Sequence, residues 1–316
     1  VLTQLKPDYP TYEVVVVSDG CSDETLERLR SAFDLYRVPP AFPRKLDTRR
    51  VRSYYRSRSH PRLLVVDKEN GGKADALNAA LNAARYPYCT TVDADTLVER
   101  SALRRIARTF LLPGAPVAGA GGTIRVANDC RFRAGEPTET RVPSSPLAAI
   151  QVPEYLRAFL FGRLGFNRLG GNLLVSGAFS LYRKSTLLEI GGFPAGSVTE
   201  DLEVTVKLHE HLRKQGVDYS LPFVPDPMAW TEVPEDVRTL GNQRERWHRG
   251  LVVTLLEHLH MLFNPRYGKI GMIVFPFYFF GEMLAPVVEV VGYVAVGTGL
   301  ALGVVSWEFA LLFLAM

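Results

Sequence analysis

The chain has 316 residues, of which 47% are hydrophobic and 22% are charged, with a formal net charge of +4. This composition is typical of a globular protein with one large core or two smaller ones. The three cysteines, Cys21, Cys89 and Cys130, are widely spaced and form no C-x-x-C pair. Their spacing argues against a disulfide framework and against a zinc site, and it fits a reducing, cytosolic environment.

Basic residues are concentrated between residues 44 and 62, where eight arginines and lysines are opposed only by Asp47. Such a run predicts a solvated insertion. Near a membrane it would face anionic lipid headgroups. Neither an aromatic ladder nor a recognised nucleic-acid motif accompanies it, so we expect no nucleic-acid partner.

The first half of the chain alternates short apolar runs with helical patterns. The runs predict strands at residues 12–17, 62–66, 88–92 and 116–126, and the helical patterns predict helices at residues 25–33, 73–84 and 98–110. This order predicts an α/β fold with a doubly wound, mostly parallel sheet. Ligands of such sheets bind at the carboxyl ends of the strands, and Asp19, Asp93 and Asp95 fall there.

The motif Asp93-x-Asp95 follows the predicted strand at residues 88–92. Mg²⁺ and Mn²⁺ favour oxygen ligands, and they often take only one or two protein carboxylates while a diphosphate supplies further oxygens. The pair therefore predicts a metal site for a nucleotide-bound diphosphate. The same residues are also typical of a turn and of a helix cap.

A second acidic motif, Thr199-Glu200-Asp201, opens a helix predicted at residues 202–214. In a functional interpretation Asp201 is a general base that takes the proton of an acceptor hydroxyl, and Glu200 orients it. In a structural interpretation Ser197 and Glu200 have the spacing of a capping box and only start the helix.

Gln243, Arg246 and Trp247 share one face of a predicted helix, because they are separated by three and four residues. An arginine fork suits phosphate oxygens, and an indole offers a flat surface to a sugar ring; the alternative is an amphipathic helix with one core tryptophan. Lys73 would reach a phosphate or solvate a helix start, and Asp19 would accept from a base N–H or cap a turn.

Taken in order, these motifs resemble those of the processive family-2 glycosyltransferases of the GT-A fold, which include cellulose, hyaluronan and poly-N-acetylglucosamine synthases. The resemblance covers nearly the whole chain. Within the family, the poly-N-acetylglucosamine synthase branch is the most similar at three segments, Ser176-Gly177-Ala178-Phe179, Gly191-Gly192-Phe193 and Thr231-Glu232-Val233-Pro234.

The resemblance implies a metal-dependent, inverting transfer from a UDP-sugar, preferably UDP-N-acetylglucosamine, to the end of a growing β-linked polysaccharide. It implies that Asp201 is the catalytic base beside Glu200. It places the acceptor against Trp247, Ser176 and Gly177. The residues that would hold the donor are Asp19, Lys73, Asp93, Asp95, Gln243 and Arg246, of which Asp95 and Asp93 would bind Mg²⁺ or Mn²⁺.

The last part of the chain is strongly apolar, since only Glu282, Glu289 and Glu308 are charged between residues 270 and 316. About 20 apolar residues span a bilayer, so this segment predicts roughly two crossings. We expect a cytosolic GT-A domain at residues 1–249, an interfacial helix or linker at 250–268 and a truncated membrane segment at 269–316. The implied location is the plasma membrane, as a multi-pass protein with a lipid bilayer and an accessory membrane subunit as partners.

The chain departs from the family pattern at two places, and three other functions are alternatives to polysaccharide synthesis. Ser18 stands where many relatives have an aspartate, and the family's opening strand would lie before Val1; we therefore expect a fragment that lacks this strand and binds the donor poorly. The rivals are a transferase that adds one sugar to a polyprenyl phosphate, a non-catalytic membrane module of the same fold, and a soluble nucleotide-binding protein whose apolar tail is core.

Overall fold

The computed structural model describes residues 1, 3–169 and 171–315, apart from the side chains at positions 159–161 and 227. Its strands are β1 (Val14–Asp19), β2 (Leu35–Val38), β3 (Val51–Ser57), β4 (Leu63–Lys68), β5 (Tyr88–Val92), β6 (Leu97–Val98), β7 (Gly119–Val126), β8 (Arg131–Arg133), β9 (Glu136–Glu139), β10 (Phe179–Arg183) and β11 (Phe223–Thr231). Its α-helices are α1 (Thr25–Phe33), α2 (Lys73–Ala83), α3 (Ala102–Arg108), α4 (Pro146–Leu156), α5 (Arg163–Asn167), α6 (Lys184–Glu189), α7 (Glu200–Lys214), α8 (Val237–Glu257), α9 (Ala285–Ala301) and α10 (Trp307–Ala315). Single 3₁₀ turns lie at Thr109–Leu111, Leu259–Met261 and Pro265–Tyr267, and π-helical segments lie at Arg157–Gly162, Ile270–Val274 and Phe277–Met283.

The strands form two mixed sheets and a small hairpin of β8 and β9. In the four-stranded sheet, ordered β1-β4-β3-β2, β1 and β4 are parallel and the other neighbours are antiparallel. In the five-stranded sheet, ordered β5-β10-β7-β11-β6, only β7 and β11 are parallel among the described strands. The α/β class is confirmed, but the prediction of a mostly parallel, doubly wound sheet is wrong. The reason is that β10 arrives from the second half of the chain and inserts between β5 and β7, antiparallel to both.

Part of the basic insertion is a strand rather than a solvated loop. Strand β3 lies between β2 and β4 and is antiparallel to both. Its Tyr55 and Ser57 are buried, whereas Arg52 is exposed with a guanidinium nitrogen 3.7 Å from Asp67 Oδ1. The prediction of a loop is therefore wrong for β3, because the many arginines mask the two-residue alternation by which a strand buries one face.

Helices cover both faces of the five-stranded sheet. On one face Ile106 of α3 shares a buried cluster with Phe179 of β10. On the other face Leu208 of α7 packs in a cluster with Tyr182 of β10. A Cβ atom added to Gly122 of β7 would lie 2.6 Å from the Met228 sulfur, so glycine is needed at this close approach. Strand β5 of this sheet ends directly before Asp93, and α7, which packs on the sheet, begins with Glu200 and Asp201.

The apolar tail begins on the protein and ends exposed. Ile270 and Phe275 are buried in a cluster with Leu202 of α7 and Leu255 of α8, whereas α9 has no buried residue. Within the described residues no single helix has the length and apolar composition to cross a bilayer, although Ile270–Met283 and Ala285–Ala301, bent by 43° at their junction, have both when taken together. The predicted division at residues 249 and 250 stays a prediction, and α8 continues through it.

Candidate active site

Lys73 joins the two acidic motifs. Its Nζ lies 2.5 Å from Asp93 Oδ1 at the end of β5, and 2.7 Å from Glu200 Oε1 at the start of α7. Burial disfavours the ammonium, but the charges and hydrogen bonds of Asp93 and Glu200 outweigh burial and raise the pKa of Lys73. Lys73 is therefore a cation that brings together residues more than a hundred positions apart in the chain.

Asp201 is held beside this lysine by the loop that precedes β10. Its Oδ2 accepts a hydrogen bond of 2.8 Å from the Gly177 amide, and its Oδ1 accepts one of 2.9 Å from the Leu202 amide. Burial and then the charge of Glu200 raise the pKa of Asp201, against the opposing effects of the Gly177 amide and Lys73. A carboxylate with a raised pKa that is fixed in orientation has the properties of a general base.

The backbone of Gly177 lies close to both Lys73 and Asp201. A Cβ atom built on it would lie 3.1 Å from Lys73 Nζ and 3.2 Å from Asp201 Oδ2. Its neighbour Ser176 is buried, and the Ser176 hydroxyl accepts a hydrogen bond of 3.3 Å from the Ala178 amide. The predicted acceptor-side loop therefore lies against the predicted base.

The start of α7 does not follow the capping-box alternative. The N-cap residue is Thr199, and its side chain makes no capping hydrogen bond in the described structure. Ser197 and Glu200 therefore do not bracket the helix start, and the Glu200 carboxylate contacts Lys73 instead.

Asp93 and Asp95 lie in a turn and do not cap a helix. The Thr96 amide donates to the Asp93 carbonyl over 3.1 Å, and α3 begins later with Ser101 at its N-cap. The turn interpretation is confirmed and the helix-cap interpretation is wrong. Asp93 is half-buried and Asp95 is exposed, so the pair presents carboxylate oxygens at the rim of the site. This donor set fits a hard divalent cation that also binds phosphate oxygens.

The carboxylate of Asp19 is already engaged within the protein. Its Oδ1 lies 2.5 Å from Nζ of the fully buried Lys68, and its two oxygens accept from the amides of Gly71 (3.0 Å) and Gly72 (2.8 Å). Lys68 Nζ also lies 2.5 Å from Asp75 Oδ1. Asp19 therefore positions the turn that leads to Lys73, and its predicted contact with uracil stays a prediction.

The three predicted residues of α8 lie in different environments. Trp247 is half-buried and packs against the cluster beneath the five-stranded sheet, whereas Arg246 is exposed. Oε1 of Gln243 is buried and has no hydrogen-bond partner among the described residues. Buried polar atoms are almost always paired, so this oxygen lacks a partner that a water molecule or a ligand would supply.

Basic residues that the motifs did not indicate also line this region. Arg244 places its guanidinium 4.7 Å from the centre of the Trp247 ring and 2.7 Å from Glu154 Oε2. Arg163 is buried over the ring of Phe223, and its charge interacts with that of Asp201. Burial lowers the pKa of Arg163. Arg244 could have been predicted as a neighbour of Trp247 only from their separation of three residues in a helix. No sequence signal predicts that Arg163 lies near the site.

Lys73 thus links the two acidic motifs of the candidate site at one edge of the five-stranded sheet, and comparison with known proteins shows the class to be that of the glycosyltransferases. Residues 46–250 match the family described as "Glycosyltransferase like family 2", and the chain belongs to this family. Two relatives are named poly-beta-1,6-N-acetyl-D-glucosamine synthase. The one from Staphylococcus epidermidis is 29% identical over 78% of this chain and 49% of its own length. The one from Staphylococcus aureus strain COL is 30% identical over 77% of this chain and 48% of its own length. The chain thus spans about half the length of these relatives.

Two solved structures share the fold. A mannosyltransferase from Pyrobaculum calidifontis, in complex with GDP-Man and Mn²⁺, has a TM-score of 0.56 and 20% identity, covering 95% of this chain and 74% of that one. S. aureus TarS 1-349, in complex with UDP-GlcNAc, has a TM-score of 0.53 and 16% identity, covering 89% and 68%. The fold is therefore the mixed α/β GT-A type.

Proposed function

We propose that the protein transfers a sugar from a UDP-sugar, preferably UDP-N-acetylglucosamine, to the end of a growing β-linked polysaccharide with inversion at the anomeric carbon. The observation that carries this proposal is the ion pairing of Lys73 with both Asp93 and Glu200 beside Asp201. One cation thereby connects the predicted donor side of the site with the predicted base.

In the proposed reaction Asp201 takes the proton of an acceptor hydroxyl. The hydroxyl oxygen attacks C1 of the donor sugar, and the bond from C1 to the diphosphate oxygen breaks with its electron pair leaving on UDP. The raised pKa of Asp201 makes this carboxylate a stronger proton acceptor than an ordinary aspartate. Its two amide hydrogen bonds hold it in place during this step.

Charge on the departing diphosphate is stabilised by cationic groups. Asp93 and Asp95 would hold Mg²⁺ or Mn²⁺, which supplies positive charge next to the diphosphate when bound. Arg246 is exposed on α8 and free to turn toward phosphate oxygens. Lys73 lies next to Asp93 and within reach of the same group.

The choice of sugar and of acceptor is supported by the relatives. Both Staphylococcus proteins are named as synthases of a β-1,6-linked N-acetylglucosamine polymer, and TarS carries UDP-GlcNAc in its structure. Processive addition is supported by Trp247, whose ring is held in the sheet cluster and under the Arg244 guanidinium. An indole fixed in this way offers a plane to the terminal sugar.

The proposed location is the plasma membrane, with residues 1–249 on the cytoplasmic side and an accessory membrane subunit as a further partner. Exposed apolar side chains of α9 support this location, among them Val287, Val291 and Val294, which are 58%, 61% and 63% exposed. An apolar surface of this kind is costly in water.

Membranes carrying the full-length protein test the proposal when they are supplied with Mg²⁺ or Mn²⁺ and with labelled UDP-N-acetylglucosamine and UDP-glucose in parallel. We expect long N-acetylglucosamine polymer. Asp201→Asn should abolish turnover while UDP binding measured by calorimetry survives, and Asp218→Asn, at an exposed aspartate outside the site, serves as the matched control.

Other products would redirect the proposal. Glucan would keep the mechanism and change the donor, whereas a single sugar on a lipid extract would indicate a polyprenyl-phosphate transferase. No transfer from either donor would contradict the activity, and near-normal product from Asp201→Asn would contradict the base assignment.

A further inference from the structure

Two carboxylates and two imidazoles meet where α7 crosses the end of α8. His258 Nε2 lies 3.0 Å from Glu203 Oε1, and His258 Nδ1 lies 2.9 Å from Glu210 Oε2. His260 Nε2 lies 2.9 Å from Glu210 Oε1. Glu210, His258 and His260 each offer one ligand atom within 4.8 Å of the others. The cluster faces a cavity of about 530 Å³ that is also lined by Ser197, Lys207, Val253 and Glu257.

The buried imidazole of His258 has the surroundings of a metal-binding histidine. The His258 side chain is buried, with 6% of the residue exposed, and its Nδ1 makes no hydrogen bond of acceptable geometry within the described residues despite the nearby Glu210 oxygen. Its other nitrogen is held by Glu203, which is itself 5% exposed. Histidines that bind metals are commonly oriented by a carboxylate on the second ring nitrogen, with the first nitrogen directed at the ion.

We propose that Glu210, His258 and His260 form a binding site for a divalent transition-metal ion of the Zn²⁺ type, with Glu203 as the positioning residue. Two imidazole nitrogens and one carboxylate are a donor set that Zn²⁺ and its neighbours take readily, with the fourth position left to water. Mg²⁺ and Ca²⁺ are disfavoured because they prefer oxygen ligands.

A divalent occupant would replace positive charges that the two carboxylates of the cluster already have beside them. Glu203 and Glu210 bring two carboxylates to the cluster, and the ammonium of Lys214 also contacts Glu210. The Lys214 side chain is 54% exposed, so it can swing into solvent when a cation takes its place. A doubly charged ion with neutral histidines then leaves both carboxylates compensated.

The proposed metal site lies where α7 meets the end of α8, so a bound ion would link these two helices. Helix α7 begins with Glu200 and Asp201, and α8 carries Gln243 and Trp247 before its end at Glu257. A metal bound between the two helices would fix the predicted base relative to the predicted acceptor platform. The proposed ion is separate from the one at Asp93 and Asp95, and it stands whether or not the transfer activity does.

Cobalt titration of chelator-treated, full-length protein in detergent tests the site without an activity assay. We expect a single equivalent of Co²⁺ to produce the visible ligand-field absorption of a nitrogen-bound, low-coordinate ion, and Zn²⁺ to displace it. His260→Asn and Glu210→Gln should each weaken cobalt binding at least about tenfold, because each removes a ligand. Glu203→Gln should weaken it by about 10-fold to 100-fold, the usual effect of losing a group that orients a ligand.

Two controls separate this site from unspecific binding and from the donor site. His211→Asn alters a histidine of α7 that pairs with Glu189 over 3.5 Å outside the cluster, and it should bind cobalt normally. The double variant Asp93→Asn/Asp95→Asn should also keep the absorption. Three results would each overturn the proposal: the wild type shows no stoichiometric cobalt absorption, His260→Asn and Glu210→Gln both bind cobalt with unchanged affinity, or Asp93→Asn/Asp95→Asn loses the absorption. His260 carries the decisive substitution because its side chain is 47% exposed, and matching circular dichroism verifies its fold.

Discussion

Replacing Lys68 with methionine should strongly destabilise the fold. Its side chain is 0% exposed, and its Nζ lies 2.5 Å from both Asp19 Oδ1 and Asp75 Oδ1. Methionine retains the apolar volume but leaves two carboxylates without their cation. Removing one partner of a buried ion pair costs about 3–5 kcal/mol.

Remaining hydrogen bonds put the expected cost at the lower end of that range. Asp19 keeps the amides of Gly71 and Gly72, and Asp75 keeps the Arg49 amide at 2.9 Å. We therefore expect a loss of about 3 kcal/mol. For a large domain, where 1 kcal/mol corresponds to roughly 2 °C or more, this loss lowers the melting temperature by at least about 6 °C.

Thermal unfolding of the detergent-solubilised protein, followed by circular dichroism, measures this effect. Arg28→Met is the matched control, because its ion pair with Glu24 is exposed (80% and 76%), and it should change the melting temperature by less than about 1 °C. A melting temperature of Lys68→Met equal to that of the control would refute the reasoning. Adding Asp19→Asn and Asp75→Asn should restore part of the loss, since the unpaired charges are then gone.

Three further predictions concern the site. Glu200→Gln should move the acid limb of the kcat profile to lower pH. Asp201 acts as a base only when deprotonated, so activity is lost as the pH falls through its pKa, and the charge of Glu200 helps to raise that pKa. If the acid limb does not move, it belongs to another group. Trp247→Ala should leave the Kd for UDP unchanged and shorten the polymer, as measured by gel filtration of labelled product, and full-length polymer would count against stacking. Gly177→Ala should lower kcat at least about tenfold with little change in melting temperature, because the added Cβ crowds the base and small displacements of reacting groups are costly. Gly241→Ala, where an added Cβ meets nothing within 4 Å, should leave kcat unaltered.

Local elements were predictable because their signals are local. The helix at residues 25–33 and the strand at residues 88–92 have the predicted bounds. Each is marked by its own periodicity and by charged or turn residues at its ends. The sheet order was not predictable in the same way, since β5 pairs with β10 from a distant part of the chain. A run such as residues 88–92 is equally suited to a parallel or an antiparallel neighbour.

Some residues of the candidate site could be predicted from the sequence and others could not. Lys73 and Asp93 were predicted because they follow a glycine pair and a strand end, and Glu200 was predicted because it belongs to an acidic motif that opens a helix. The structure brings the three side chains together. Lys68 and Arg163 could not be predicted, because a single basic residue has no pattern of its own. Their meaning depends on the carboxylates that distant segments place beside them, as Asp201 is placed near Arg163.

The charges of the site explain why a cation and a diphosphate would enter it together. Asp19 and Asp75 share the single ammonium of Lys68, and Asp93 and Glu200 share that of Lys73. Each group of three thus retains one more negative than positive charge. These two groups by themselves would repel a diphosphate at this edge of the sheet, because like charges repel more strongly where water is excluded. A divalent ion at the exposed rim cancels this excess of two negative charges, so donor binding measured by calorimetry should depend steeply on the ion.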